Sequence, residues 1–394
     1  MKHVIWAVLM LLGVRTARAS DAGLVARWTF DDAAAGKTAN VAKDSVGTFI
    51  PADDARLAYS DYARLTFVAA PSSPSLKMAR FDRLADMPGK GYQWDNPGAR
   101  LRFRTDAAKV QVSLFYNEKH VSVSARNSAG AYFIDGGGVA AGRFATVQTK
   151  TVRAPETLVV QIAAPAPGLH DYDLVLPYGD SVDVLGVSAA PGAHFAPPTP
   201  RTAKRLAAYG DSITHGFTAS DVSTSYAFLF AQKENWQLIN MGLGGRSSAA
   251  NDGVLIASLG CDVVSMLIGA NDWQGGQPVA AFRANIEGFI KNFRAKQPAV
   301  PLIVITPLWV PPTWKPPAVK SDLEAYRQAL RDIVAASGDP HITLVEGPQL
   351  IDHETRYFDA VAVHPNNAGF AMMAERLSAA VRQGKADGRL NPAR

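Results

Sequence analysis

Apolar residues recur along this chain in two rhythms that meet near residue 200. From about residue 60 to residue 188 they alternate: Leu101 and Phe103; Val110, Val112 and Leu114; Val121 and Val123; Leu158, Val160 and Ile162; Tyr172, Leu174 and Leu176; Val182 and Val184. A period of two buries one face of a strand. Clusters such as Asp-Gly-Gly-Gly (135–138) and Ala-Pro-Ala-Pro-Gly (164–168) cut the runs into short strands, so this half predicts an all-β sandwich of jelly-roll type. Beyond residue 204 short apolar runs at 206–209, 237–241, 262–268, 301–306 and 341–346 alternate with amphipathic stretches at roughly 223–235, 247–258, 279–296, 320–336 and 366–383. Five strands separated by helices predict a parallel sheet covered on both faces, a three-layer α/β/α domain. In such a sheet ligands bind beyond the carboxyl ends of the strands.

The flanking and joining segments complete the plan. Lys2 and His3 precede an apolar run from Val4 to Val14, followed by Ala17-Arg18-Ala19. This reads as a signal peptide over 1–19 with Ser20 as the mature start, because the run is about half the ~20 residues that span a bilayer. The mature chain is then expected in the periplasm or the extracellular medium without a membrane span. The sandwich domain is placed at 20–190, including an N-terminal extension over 20–60. The Pro-rich stretch 191–204 reads as a linker, 205–385 as the α/β domain and 386–394 as a tail.

Composition removes several classes of function. Cys261 is the sole cysteine, which excludes an intrachain disulfide, and its place at the start of a strand makes it a buried bystander. The eight histidines are scattered without paired-ligand spacing, so neither a metal nor another cofactor is expected. The net charge of +5 is carried without basic runs interleaved with aromatics. It reads as a solubility feature and not as a nucleic-acid surface.

Candidate chemistry gathers at four strand ends. Tyr-Gly-Asp-Ser occurs at 178–181 and again at 209–212. Ser181 lies between two alternating strands, where Gly and Asp serve a hairpin turn. Ser212 follows the first strand of the parallel sheet, where a tight turn presents a hydroxyl to a cleft and suits a nucleophile. After the second strand, Asn240-Met241-Gly242-Leu243-Gly244-Gly245-Arg246 lacks the third glycine of a dinucleotide fingerprint, since Ser247 stands there. A glycine loop that lets a backbone N–H approach an oxyanion fits better. After the third strand, Gly269-Ala270-Asn271-Asp272 brings a carboxamide donor to the same rim. His364-Pro365-Asn366 precedes the last helix, with Asn366 as its expected N-cap.

These four blocks, in this order and spacing over most of 205–385, resemble the SGNH hydrolases, also called GDSL esterases. The resemblance implies a flavodoxin-like domain in which Ser212 is the nucleophile and His364 the general base and acid. It also implies that the Ser212 N–H, the Gly245 N–H and the Asn271 side chain form an oxyanion hole, with Gly242 or Gly244 as alternatives to Gly245. One position departs from the family: the aspartate usually found three residues before the histidine is Val361 here. Either Asp359, five residues before His364, takes its place, or a backbone carbonyl orients the imidazole of a Ser-His dyad.

The sandwich ahead of the hydrolase domain resembles the second carbohydrate esterase family, with "YFIDGGG" (132–138) and "GLHDYDLVLPYGDSVDVLGV" (168–187) as its last strands. That implies an exported esterase removing O-acyl, chiefly O-acetyl, groups from a carbohydrate without a cofactor. Trp273, and Trp309 and Trp314 in "PLWVPPTWKPP" (307–317), are candidates to wall the cleft against a sugar ring, or to pack on the protein itself. His215 reads as a loop-packing residue, and Asp211 as a partner of loop amides. The competing functions are a lipid-ester or thioester hydrolase on the same domain, and a glycan-binding protein whose last block has lapsed.

Overall fold

The computed structural model of the chain describes residues 47–71, 73–82, 97–116, 129–137, 140–145, 156–177, 182–312, 314, 321–359 and 363–386. The segment read as a signal peptide, most of the N-terminal extension, Val121, Val123, Ser181, Val361 and the last eight residues therefore lie outside the described residues.

The first half is built from β1 (Thr48–Pro51), β2 (Ala58–Ser60), β3 (Arg64–Ala70), β4 (Ser73–Asp82), β5 (Arg100–Thr105) and β6 (Lys109–Tyr116). It continues with β7 (Ala129–Ile134), β8 (Ala140–Ala145), β9 (Glu156–Ala163), β10 (His170–Val175), β11 (Val182–Ala189) and β12 (Phe195–Ala196). One antiparallel sheet runs β3-β4-β11-β6-β9 with β1 paired to β11, the other β12-β5-β10-β7-β8 with β2 paired to β5. The alternating residues point between the sheets: Leu101, Phe103, Val110, Val112, Leu114, Leu174 and Val184 are fully buried in one core, where the Phe103 and Tyr172 rings stack at 5.0 Å. This is the jelly-roll-like sandwich that a period of two demands.

Two details differ from the pattern-based reading. The expected linker is partly structured: β12 pairs with β5, and Phe195 is buried in the sandwich core. Prolines on its flanks are tolerated because β12 is an edge strand, where a missing N–H breaks no ladder. The residues around the first Tyr-Gly-Asp-Ser do not join a hairpin, because β10 and β11 belong to different sheets.

The second half holds β13 (Arg205–Gly210), β14 (Gln237–Gly242), β15 (Val263–Leu267), β16 (Leu302–Ile305) and β17 (Ile342–Val345) in a parallel sheet of order β14-β13-β15-β16-β17. The long helices are α2 (Tyr226–Lys233), α5 (Val279–Arg294), α6 (Leu323–Ser337) and α7 (Asn367–Ala386), with the shorter α3 (Asp252–Ser258) between β14 and β15. Very short helices that periodicity did not predict, α1 (Ser212–His215) and α4 (Ala270–Gln274), follow β13 and β15 directly. One core packs β13 and β16 against α2 and α7, and another packs the opposite sheet face against α3, α5 and α6. Cys261 is buried in the second of these, where burial pushes its thiol pKa up to about 12.

The halves are joined by buried charge. Arg100 of β5 is 4% exposed and pairs with Asp173 at 2.7 Å and Asp61 at 3.2 Å, while its guanidinium lies over the Phe228 ring of α2. Asp61 also accepts the N–H of Leu238 in β14. Arg143 reaches from β8 to Asp221 beside α2. Among the described residues no helix is long and apolar enough to cross a membrane, and no group of three His, Cys, Asp or Glu side chains is arranged to hold a metal ion.

Candidate active site

The site is assembled at the carboxyl edge of the parallel sheet. β13 ends at Gly210, and Asp211 caps α1 by accepting the Ile213 N–H at 2.9 Å. Ser212 is the first residue of that helix, so its own N–H has no acceptor within it. At the end of β14, Gly242 runs so close to α1 that a Cβ there would lie 2.1 Å from the His215 nitrogen. The loop beyond reaches Gly245 in the left-handed region, φ +74°, with nothing within 4 Å of the position a Cβ would take. A bare backbone at this point faces the cleft, as Gly244 also does. Asn271 on α4 donates from Nδ2 to Asp211 Oδ2 at 3.2 Å. Burial pushes the Asp211 pKa up to about 7, against the bonds from Ile213 and Asn271 that pull it down.

His364 arrives from the far end of the chain. Its Nε2 lies 2.8 Å from Ser212 Oγ, although 152 residues separate the two in sequence. The ring packs against Phe217 with centroids 4.7 Å apart. The loop after α1 is fastened to the histidine loop by Thr218 Oγ1 donating to Pro365 O at 2.8 Å and the Ser220 N–H donating to Asn367 Oδ1 at 2.9 Å. Asn366 caps α7 through Oδ1, which accepts the N–H groups of Ala368 and Gly369 at 3.1 Å each. Burial pushes the His364 pKa below its ordinary value, with the Asp359 charge acting in the opposite direction. The imidazole is therefore neutral at neutral pH, the state that can accept a proton.

Asp359 does not hold the imidazole. Its Oδ1 accepts the backbone N–H groups of Val363 at 3.3 Å and His364 at 3.4 Å, while its own N–H donates to His364 O at 2.8 Å. The carboxylate thus serves nearby backbone amides, as a short acidic side chain commonly does. Nδ1 of His364 is buried and has no hydrogen-bond partner among the described residues.

Ser212 and His364 open onto a cavity of about 360 Å³ that Gly245, Asn271, Trp309 and Trp314 help to line. Trp309 is backed by the His353 ring, stacked 5.1 Å away, and by Phe358 at 5.6 Å. Trp314 meets the edge of Trp273 at 5.2 Å. Trp273 itself is 9% exposed, lies outside the cavity lining and donates its indole N–H to Ser321 O at 2.9 Å. Residues two apart on a helix point in nearly opposite directions, so α4 turns Asn271 toward the cleft and Trp273 away from it. Gln274, three residues after Asn271, does line the cavity and was missed from sequence; the helical period of α4 was the signal that finds it. Phe217, Leu308 and Val310 were also missed; the last two flank Trp309 in the loop already expected at the cleft. His215 is buried beneath the site and also reaches its lining.

Comparison with known proteins agrees with this geometry. Residues 208–372 match the GDSL-like Lipase/Acylhydrolase family, a span that contains all four blocks. None of the curated proteins matches the chain in sequence. Among solved structures, a salicylyl-acyltransferase from a tetracycline biosynthetic pathway is similar over 88% of this chain and 99% of its own, at 20% identity and a TM-score of 0.69. A family two carbohydrate esterase from Cellvibrio japonicus is similar over 85% of this chain and 97% of its own, at 15% identity and a TM-score of 0.61. Another, from Clostridium thermocellum in complex with cellohexaose, is similar over 85% of this chain and all of its own, at 17% identity and a TM-score of 0.59. The solved structures share the fold of both halves, and the family match makes residues 208–372 a GDSL/SGNH-like esterase domain, carried behind a jelly-roll-like sandwich.

Proposed function

We propose that the protein is an exported serine esterase that hydrolyses O-acyl, chiefly O-acetyl, esters of a carbohydrate. The observation that carries the reading is Ser212 Oγ at 2.8 Å from the Nε2 of a half-buried, neutral His364, at a cavity bordered by Asn271 and Gly245. Ser212 Oγ attacks the acyl carbon as its proton passes to His364 Nε2. The negative charge that develops on the carbonyl oxygen is met by the N–H groups of Ser212 and Gly245 and by the Nδ2 hydrogen of Asn271 that does not face Asp211. His364 returns its proton to the departing sugar hydroxyl, and water repeats the sequence on the acyl-enzyme.

The sugar assignment is supported by the two carbohydrate esterases that share both halves of the fold, and by Trp309 and Trp314 on the cavity wall. Flat aromatic faces held from behind stack on sugar rings at little entropic cost. The signal-peptide pattern at 1–19 supports export to the periplasm or the medium.

The test is turnover by the purified mature chain on acetylated polysaccharides beside aryl esters of increasing acyl length. Acetate release from a glycan, with aryl-ester turnover falling as the acyl chain lengthens, is the expected result. Preference for long acyl chains assigns the enzyme to lipid esters instead. Glycan binding without any turnover leaves a binding protein.

A further inference from the structure

The two oxyanion donors outside Ser212 come from different loops: Gly245 follows β14, and Asn271 lies on α4 after β15. Neither donor touches the other in the hydrogen-bond pattern, so something must set their separation. Gly245 has no side chain, and the space a Cβ would take is open, so its place is set by the loop on either side of it. Three residues later the same loop is caught by α4. The Asp272 carboxylate accepts the Ser248 N–H through both oxygens at 3.0 Å and the Ser248 hydroxyl at 2.6 Å. Asp272 is fully buried, and it is the residue next to Asn271. Asn285 of α5 secures the far side of the latch by donating to Ser248 O at 3.0 Å and Ser248 Oγ at 3.2 Å.

Resting on the proposed hydrolase reading, we propose that Asp272 is a positioning residue: through Ser248 it fixes the Gly245 loop relative to Asn271, so that both donors meet one oxyanion. A carboxylate suits this task because it accepts from an amide and a hydroxyl at once, through two oxygens, whereas an amide side chain offers one. Charge-assisted bonds in a buried site are also the stiff ones, and oxyanion stabilisation depends on donors that need not reorganise during the reaction. On the other side of Gly245, the Leu243 N–H donates to Gly210 O at 3.0 Å; immediately after Gly245, Arg246 donates through Nε to Asp252 Oδ2 at 2.8 Å, and Tyr209 OH donates to the same oxygen at 2.6 Å. The loop is thus tethered on both sides of Gly245, and the Asp272 tether comes from the residue next to the other donor.

The experiment compares wild type, Asp272→Asn and Ser248→Ala by kcat and KM on a short-chain aryl ester and by affinity for phenylboronic acid. Ser212 Oγ adds to boron as its proton passes to solvent through His364, and the adduct's boron-bound oxygen stands where the oxyanion forms. Asp272→Asn should lower kcat by between about 10-fold and 100-fold, the usual result of a small misplacement, with boronate affinity falling in parallel. KM should stay within about twofold, because the lost interaction belongs to the transition state. Ser248→Ala, which keeps the amide bond and removes only the hydroxyl, should show the same split at smaller size. The proposal is overturned by kcat within about twofold of wild type in both variants, by a rise in KM alone, or by a fall in kcat that leaves boronate affinity intact. If the wild type turns over no ester, the hydrolase reading fails, while the boronate titration still reads the latch.

Discussion

The chain writes Tyr-Gly-Asp-Ser twice, once between β10 and β11 of the sandwich and once where β13 gives way to α1. In the sandwich the two flanking strands lie in opposite sheets, and the residues around them fill the core between those sheets. In the α/β domain the same four residues end a strand whose neighbours are all parallel, so the loops after β13, β14 and β15 leave from one edge and meet. The tetrapeptide is identical; at the edge of the parallel sheet its serine meets a histidine that arrives from the far end of the chain. Parallel strands gather chemistry at one end, while an antiparallel sandwich spreads its connections over both ends.

That contrast is open to direct attack. Ser212→Ala should reduce kcat on the order of 10⁶-fold, to background, while Ser181→Ala leaves turnover unchanged. An active Ser212→Ala enzyme would dissolve the distinction between the two regions. Arg100→Ala should act on the other side of the comparison. Removing one member of the buried Arg100, Asp61 and Asp173 cluster should cost roughly 3–5 kcal/mol of stability in urea unfolding, with kcat per folded molecule nearly unchanged. A large loss of kcat in the folded fraction would tie the sandwich interface to the chemistry. Asn271→Ala should lower kcat by about 10²-fold to 10³-fold with KM little affected, and steady-state kinetics reads both.

The smallest expected effect concerns Asp359. If it oriented the imidazole directly, its loss would cost about 10⁴-fold in kcat. Bound as it is to the Val363 and His364 amides, Asp359→Asn should cost less than about tenfold. The pH profile gives the sign. The acid limb of kcat/KM reports protonation of the base, and burial sets it below the ordinary histidine value. Because the Asp359 charge raises that pKa, Asp359→Asn should move the acid limb to still lower pH. A shift to higher pH would contradict the arrangement.

Periodicity made both layers of the fold legible, because burying one face of a strand or helix leaves its period in the sequence: Leu101, Phe103 and Leu174 lie between the sheets, and the five parallel strands fall on the five apolar runs. Motif order placed Ser212, Gly245, Asn271 and His364 on one edge, and they line one cavity. What sequence spacing does not encode is the direction of a side chain. Asp359 is near His364 along the chain, yet its carboxylate turns to the backbone of its own loop. Trp273 is two residues from Asn271, and the turn of α4 sends it to the opposite side. Long-range partners such as Asp61 with Leu238, or Phe217 with His364, depend on the docking of distant segments and leave no local signature.

The most direct test of the account is to treat the mature chain with a reactive alkyl phosphonate ester and map the modified peptide by mass spectrometry. A single adduct on the peptide carrying Ser212, absent in Ser212→Ala and weakened in His364→Ala, is the predicted result. An adduct on the peptide carrying Ser181, or equal labelling after either substitution, would contradict it.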